Sequence, residues 1–87
     1  MTEDLYKDIY NKALDIISRR EHSSKEVMEK LARKFTSKDL INSTIEKLIS
    51  NNLVNDTRFA EMYVRSRKKK GFGPKKIAYE LAVKGIK

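Results

Sequence analysis

Residues 5–20, LYKDIYNKALDIISRR, decide how this chain folds. At about 100° per residue, the apolar side chains of this stretch fall within one half of a helical wheel, and polar side chains fill the other half. The apolar set is Leu5, Tyr6, Ile9, Tyr10, Ala13, Leu14, Ile16 and Ile17. The pattern predicts an amphipathic helix that must bury one face against other helices.

Two further helices are predicted directly after this one. Ser23, with Glu26 three residues later, has the form of a capping box and predicts a second helix that ends near Lys34. Thr36 or Ser37 is suited to cap a third helix, because a hydroxyl oxygen accepts hydrogen bonds from the first free backbone N–H groups. Apolar residues again recur at helical spacing in both segments, so each helix has one face to bury.

The second half of the sequence predicts two more helices. Val54 and Phe59 flank Asn55 as a hydrophobic staple flanks a helix cap, which predicts a fourth helix from this point. Pro74 is suited to the first turn of a fifth helix, where its missing N–H costs nothing. Gly85 is suited to end that helix. The apolar spacing predicts core-facing positions in both helices: Phe59, Met62, Tyr63 and Val64 in the fourth, and Ile77, Ala78, Leu81 and Ala82 in the fifth.

The fourth and fifth helices resemble the first and second, displaced by fifty residues. Apolar positions coincide at this offset, as Ile9 and Phe59 do. A period of this size is typical of stacked helical units. The sequence therefore predicts an all-α fold of tandem three-helix, helix-turn-helix-like repeats with five helices, the second repeat being incomplete. Residues 1–52 would form the first repeat, and residues 53–87 the first two helices of the second.

Charge is distributed unevenly along the chain. Residues 51–87 carry ten basic and three acidic side chains, a net charge of +7, whereas residues 1–50 carry ten and nine, a net charge of +1. Within residues 65–76, RSRKKKGFGPKK, seven of the twelve side chains are Lys or Arg. Such a segment attracts polyanions such as nucleic acid, anionic lipid or an acidic protein surface. The plainer alternative is a solvated helix face that keeps a small domain soluble.

Several function classes have no support in the residues. The chain has no cysteine, so disulfides and thiolate metal sites are excluded, and the only histidine, His22, lacks a second ligand type. No pair of carboxylates is marked for acid–base work, so we expect no enzyme, cofactor or small-molecule substrate. No apolar run reaches the ~20 residues of a membrane span, and we expect a soluble, cytoplasmic protein.

Six cations are the predicted partner-binding residues. On the fourth helix four of them lie opposite Phe59 and project outward as a stripe, and two stand at the start of the fifth helix, where backbone N–H groups favour an anion. They are Arg58, Arg65, Lys68, Lys69, Lys75 and Lys76. Arg67 and Lys70 lie nearer the apolar side of the fourth helix and are interpreted as structural.

Aromatic residues are interpreted mainly as packing groups. Phe72 is open to two interpretations: its ring could stack on a nucleobase, or it could pack on Ile77 as a staple, which we favour. The tyrosines have the spacing of amphipathic helix residues, which predicts a place in the core or at its rim. The tyrosines are Tyr6, Tyr10, Tyr63 and Tyr79.

Two stretches resemble the RecX family, the regulators of the RecA recombinase. They are ALDIISRREHSSKEVMEKLARKF (residues 13–35) and LVNDTRFAEMYVRSRKKKGFGPKKIAYELAVKGI (residues 53–86). The resemblance implies an all-helical, non-catalytic bacterial protein that binds the RecA filament on single-stranded DNA, inhibits it, and so modulates recombination and the SOS response. Weak direct binding to nucleic acid is also expected. This chain departs from the family pattern by ending after two helices of the second unit.

An autonomous helix-turn-helix DNA-binding domain is the alternative from another class. Short helices with a basic terminal one also suit that function. The two functions differ in binding to naked DNA, since a sequence reader prefers one duplex sequence. A membrane-surface helix ranks last, because the basic segment has few bulky apolar residues.

Overall fold

Five helices make up the fold of residues 2–86, the part of the chain that this computed structural model describes. They are α1 (Thr2–Arg19), α2 (Ser24–Ala32), α3 (Lys38–Ser50), α4 (Asp56–Lys69) and α5 (Pro74–Val83). No strand occurs within this range. The predicted all-α fold with five helices is confirmed. The exact division of the chain at residues 52 and 53 stays a prediction.

Side-chain caps begin three of the helices. Ser23 Oγ accepts from the backbone N–H of Glu26 at 3.2 Å, and the Glu26 carboxylate accepts from the backbone N–H of Ser23 at 3.1 Å. The predicted capping box is therefore present. In the same way, the Ser37 side chain accepts from the N3 amide of α3, and the Asn55 side chain accepts from the N3 amide of α4. A cap of this kind is typically worth about 1 kcal/mol, so each start is fixed locally.

Left-handed residues end three of the helices. Asn52, Gly71 and Gly85 have φ values of 58°, 87° and 86°. After each of them the next backbone N–H reaches back to a carbonyl five residues earlier, at 2.9 to 3.1 Å. This is the Schellman arrangement, which satisfies carbonyls that a helix end leaves free. Glycine takes this conformation without steric cost, and asparagine tolerates it better than most residues.

The first unit, which we define as α1 to α3, has a continuous apolar core. Its three helices pack on one another, and the apolar stripe of α1 supplies its centre. The buried set is Ile9, Ala13, Ile16, Val27, Leu31, Ile41, Ile45, Leu48 and Val54. Each fully buried aliphatic side chain contributes about 1.5–3 kcal/mol relative to exposure, so this unit carries most of the apolar stabilisation.

The second unit, α4 and α5, buries less. Phe59 and Ile77 are 1% and 4% exposed, while Tyr63, Val64 and Leu81 are half-buried. The described residues contain no third helix to cover this pair. Three positions predicted to face the core are exposed instead, and that part of the prediction is wrong. They are Met62, Ala78 and Ala82.

Polar contacts join the two units at the turn between α1 and α2. The Asp56 carboxylate accepts from the backbone N–H of Ser24 at 2.7 Å and from Ser24 Oγ at 2.9 Å. Ser24 is the first residue of α2, so Asp56 satisfies one of the free N–H groups there and places a negative charge at the positive end of the helix. Arg58 reaches the same turn and forms two hydrogen bonds with Glu21.

The C-terminal end of α5 contacts the start of α2. Lys84 Nζ lies 3.0 Å from Glu26 Oε2, and Lys25 Nζ donates to the carbonyl of Val83 at 3.0 Å. A Cβ on Gly85 would lie 2.9 Å from Lys25 Cβ, so the chain can come this close only with glycine. We call these contacts the inter-unit cluster. Its members are Glu21, Ser24, Lys25, Glu26, Asp56, Arg58, Val83, Lys84 and Gly85.

Glu26 is the most strongly perturbed carboxylate of the cluster. Burial alone would raise its pKa, because an apolar environment disfavours the charge. Hydrogen bonds from the Ser23 amide, Lys84 and Arg20 outweigh that effect and lower the pKa from 4.5 to about 2. The Glu26 side chain is only 12% exposed, and it serves both the cap of α2 and the contact with α5. One carboxylate therefore couples a local signal to a tertiary contact.

Candidate functional site

The basic segment, residues 65–76, runs from the last turns of α4 through a turn into the start of α5. Five of its cations are exposed and form no side-chain hydrogen bond, ion pair or ring contact within residues 2–86. Four of them are predicted partner-binding residues: Arg65, Lys68, Lys69 and Lys75. The fifth is Lys70, so the structural interpretation is wrong for that residue. Arg65, Lys68 and Lys69 lie within about one helical turn of one another, so their charges are concentrated on a short stretch of α4. This positive charge is not neutralised within the chain.

Arg58 does not belong to this group. Its Nε lies 2.5 Å from Glu21 Oε2 and its Nη2 lies 3.2 Å from Glu21 Oε1, and the guanidinium also donates to the carbonyls of Asn52 and Leu53. The prediction that Arg58 projects outward with the stripe is wrong. Its partner Glu21 is 37 residues away in sequence, so no local pattern on α4 indicates the pair.

Lys76 is exposed, yet it is engaged with Phe72. Its Nζ lies 5.0 Å from the centroid of the Phe72 ring, and Arg67 Cζ lies 5.1 Å from the same centroid. Both distances lie within the range of a cation–π contact. Phe72 is half-buried, and two cations already contact its ring. The packing interpretation therefore fits Phe72 better than base stacking, although the observed partners are cations.

Arg67 has a structural role, as predicted. Its guanidinium also lies 5.0 Å from the Tyr63 ring, and it pairs with Glu80 on α5 at 3.4 Å. The Tyr63 hydroxyl donates to Glu80 at 2.9 Å. These contacts form an aromatic–cation stack, Tyr63, Arg67, Phe72 and Lys76, that ties α4 to α5. The stack fixes the start of α5, and so Lys75, relative to the free cations of α4.

Tyr79 is another residue that sequence reasoning placed wrongly. Its side chain is 71% exposed, whereas the helical spacing predicted a place in the core or at its rim. Tyr6, Tyr10 and Tyr63 are half-buried, as expected for rim positions. The fifty-residue offset would have given the correct answer, since it aligns Tyr79 with Glu29, a charged residue suited to a solvent-facing position.

Other site types have no support in the described structure. Across residues 2–86, no group of three or more carboxylate or histidine side chains is arranged to hold a metal ion. His22 is 2% exposed, and its two ring nitrogens contact the Arg20 carbonyl at 2.9 Å and Lys30 Nζ at 2.8 Å. It directly precedes Ser23, the cap of α2. Over the same range, no helix is long and apolar enough to cross a membrane.

Comparisons with known proteins agree with this architecture. The family model described as "RecX, first three-helix domain" matches residues 10–48, and the model described as "RecX, second three-helix domain" matches residues 55–87. The chain belongs to the RecX family. The predicted resemblance is thus confirmed, and the tandem arrangement of helical repeats with it.

Individual RecX proteins are similar over most of this chain. Regulatory protein RecX of Halorhodospira halophila (strain DSM 244 / SL1) is 38% identical over 74 residues, which cover 85% of this chain and 46% of that protein. Regulatory protein RecX of Legionella pneumophila (strain Corby) is 36% identical over 77 residues, covering 88% and 51%. The chain therefore spans about half the length of the curated relatives it matches.

A crystal structure of RecX from Lactobacillus salivarius has the same fold. The TM-score is 0.92 at 38% identity, and the match covers 98% of this chain and 56% of that one. The relatives are named regulatory proteins, so membership indicates a regulatory role for RecX proteins rather than a metabolic one.

Proposed function

We propose that this RecX-family chain binds the RecA filament on single-stranded DNA, inhibits its activities without catalysis, and thereby modulates recombination and the SOS response in the cytoplasm. The observation that carries the proposal is the group of unneutralised cations in the basic segment, four of which are the predicted contacts Arg65, Lys68, Lys69 and Lys75. A nucleoprotein filament offers phosphates and acidic protein surface together, and cations of this kind contribute to attraction and orientation at either.

Two features of the fold support this use of the basic segment. The aromatic–cation stack holds α4 and α5 together, so the four cations are presented on a fixed scaffold. The inter-unit cluster neutralises Arg58, Lys84 and the carboxylates near them, which leaves the excess positive charge at the other end of α4. The partner is therefore expected to contact the basic segment.

The test is inhibition of RecA by a variant with the four cations neutralised. Arg65→Gln, Lys68→Gln, Lys69→Gln and Lys75→Gln are combined, and RecA ATPase and strand exchange are measured on single-stranded DNA. We expect the concentration for half-inhibition to rise by about tenfold or more. The matched control removes one arginine and three lysines from exposed positions of the first unit: Arg33→Gln, Lys34→Gln, Lys38→Gln and Lys47→Gln.

The control is expected to inhibit as the unaltered chain does. Equal inhibition by both variants and by the unaltered chain would contradict the role of the basic segment. Failure of the unaltered chain to associate with the filament would contradict the proposal as a whole. Tight binding to one duplex sequence, with no effect on RecA, would favour the alternative of an autonomous helix-turn-helix DNA-binding protein.

A further inference from the structure

The solvent face of α5 carries an aromatic ring where the first repeat carries a charge. Tyr79 is 71% exposed, and it forms no hydrogen bond or ring contact within residues 2–86. The phenol is a large apolar group with a polar tip, and such side chains are enriched at interfaces, where one end is apolar and the other is wet. An uncovered tyrosine in a strongly cationic unit is therefore a candidate contact for a partner.

The missing third helix does not explain this exposure. Tyr79 aligns with Glu29 at the fifty-residue offset, and Glu29 is exposed although α3 is present in the first unit. Val83 aligns with Arg33, which is exposed as well. This face of α5 corresponds to the face of α2 that points away from the three-helix core. A helix that completed the second unit in the manner of α3 would leave Tyr79 in solvent.

A cation on the same face gives Tyr79 a neighbour of the right charge for a nucleic acid. Lys75 lies four residues before it, one turn of α5 away on the same face, and is itself exposed and unpaired. Val83 lies one turn beyond and is 55% exposed. The face thus offers a cation, a ring and an aliphatic group in succession. Single-strand binding proteins combine cations for the phosphates with aromatic rings for the bases in this way.

We propose that Tyr79 stacks on an unpaired nucleobase while Lys75 contacts the adjoining phosphate, so that the solvent face of α5 binds single-stranded nucleic acid directly. The occupant is a single strand because the bases of a duplex are already stacked on one another and their faces are covered. Phe72, the aromatic residue of the basic segment, is engaged by Arg67 and Lys76. Tyr79 is therefore the ring that is open to a base.

This inference deepens the proposed function by naming the nucleic-acid contact, yet it is tested without RecA. The probes are a labelled oligothymidylate and an abasic strand of equal length, and binding is measured by fluorescence anisotropy over a range of salt. Tyr79→Ala is compared with Tyr79→Phe, which keeps the ring. Ile49→Ala is the control, because Ile49 is an apolar residue of the first unit that is 50% exposed.

Loss of the ring should affect only the strand that has bases. We expect Tyr79→Ala to weaken oligothymidylate binding by about tenfold and to leave abasic-strand binding unchanged, with Tyr79→Phe and Ile49→Ala close to the unaltered chain. The slope of log K against log salt should stay the same in Tyr79→Ala, whereas Lys75→Ala should reduce it by about 0.7.

Four results would overturn the inference. The first is equal oligothymidylate binding by Tyr79→Ala and the unaltered chain, and the second is an equal loss on both strands. The third is a change in sedimentation from dimer to monomer in Tyr79→Ala, which would make this face a contact between copies of the chain. Absence of any oligothymidylate binding by the unaltered chain would also remove it. Inhibition of RecA that persisted in Tyr79→Ala would leave the proposed function standing.

Discussion

Individual polar residues in this chain have two tasks at once, one local and one tertiary. Glu26 closes the capping box of α2 and also receives Lys84 from α5. His22 stands before the same cap, is buried, and contacts both the Arg20 carbonyl and Lys30. Substitutions at these positions therefore change both helix α2 and its surroundings, and their effects depend on pH.

Glu26 should make stability depend on acid between pH 4.5 and about 2. Because its pKa is lower in the folded chain than in the unfolded one, the unfolded chain binds the proton first, and stability is lost as the pH falls through this range. Over this range the unaltered chain should lose on the order of 1–2 kcal/mol of unfolding free energy through Glu26, after allowance for screening by water. Glu26→Gln should not show this loss. Urea unfolding at pH 7 and pH 3 measures the difference.

Glutamine preserves the capping box, so the substitution acts mainly on charge. Asp39→Asn is the control, because Asp39 is exposed and far from α5 in sequence. An equal acid response in Glu26→Gln and the unaltered chain would contradict the assignment.

His22 should affect stability in a separate pH range, near neutrality. Burial lowers its pKa below 6.5, and the charges of Arg20 and Lys30 lower it further. The hydrogen bond with the Arg20 carbonyl and the charge of Glu26 raise the pKa, but the lowering effects are larger. The unfolded chain therefore binds the proton at higher pH than the folded chain, and stability falls as the pH drops below about 6.5. His22→Gln should flatten the dependence of unfolding free energy on pH between 7 and 5, and an unchanged slope would count against it.

At the scale of helices, the ends are better specified than the relative positions. Each of α2, α3 and α4 begins at a capping side chain that is visible in the sequence. Each of α3, α4 and α5 ends at a left-handed residue. The local signals do not indicate which helix ends contact one another. Gly85 and Lys25 form such a contact, and comparing two glycines in the same conformation separates its contribution to stability from the cost of the backbone conformation.

Gly85→Ala should destabilise the chain more than Gly71→Ala. Both residues have positive φ, so alanine costs about 1–2 kcal/mol at either position. A Cβ on Gly71 would meet nothing within 4 Å, whereas one on Gly85 would lie 2.9 Å from Lys25 Cβ. We expect Gly85→Ala to cost about 1 kcal/mol more, measured by denaturant unfolding. Equal costs would show that the contact between α5 and α2 contributes nothing.

At the scale of the whole molecule, an apolar first unit and a thinner second unit are joined by a largely polar contact. The molecule is elongated, with principal extents of 49, 20 and 19 Å. Charged and hydrogen-bonded pairs at the α1–α2 turn set the direction in which α4 and α5 leave the first unit. The presentation of the basic segment and of Tyr79 therefore depends on the inter-unit cluster, although neither belongs to it.

Removal of the cluster's carboxylates should loosen the arrangement of the two units. Glu21→Gln combined with Asp56→Asn leaves Arg58 without its counter-charge and removes the negative charge from the start of α2. We expect a broader distance distribution between spin labels on cysteines placed at Ser43 and Ala78, which are exposed. The chain has no native cysteine, so labelling is confined to these sites.

Asp15→Asn combined with Glu46→Gln is the control, since it removes two carboxylates that lie within the first unit. The double variant Glu21→Arg with Arg58→Glu should keep a narrow distribution of label distances, because it keeps the ion pair with the two charges exchanged. A narrow distribution in Glu21→Gln with Asp56→Asn would contradict the role of the cluster.

The sequence by itself determined the helices, their caps, the tandem repeat and the family, because these follow from spacing and residue type within a few turns of chain. It also located the basic segment. Only the tertiary structure decided which cations remain unpaired: Arg58 is neutralised by Glu21, and Lys76 is engaged by Phe72. It likewise decided that Tyr79 is exposed. Such outcomes depend on contacts between residues far apart in sequence, and periodicity along one helix contains no information about what approaches it from another.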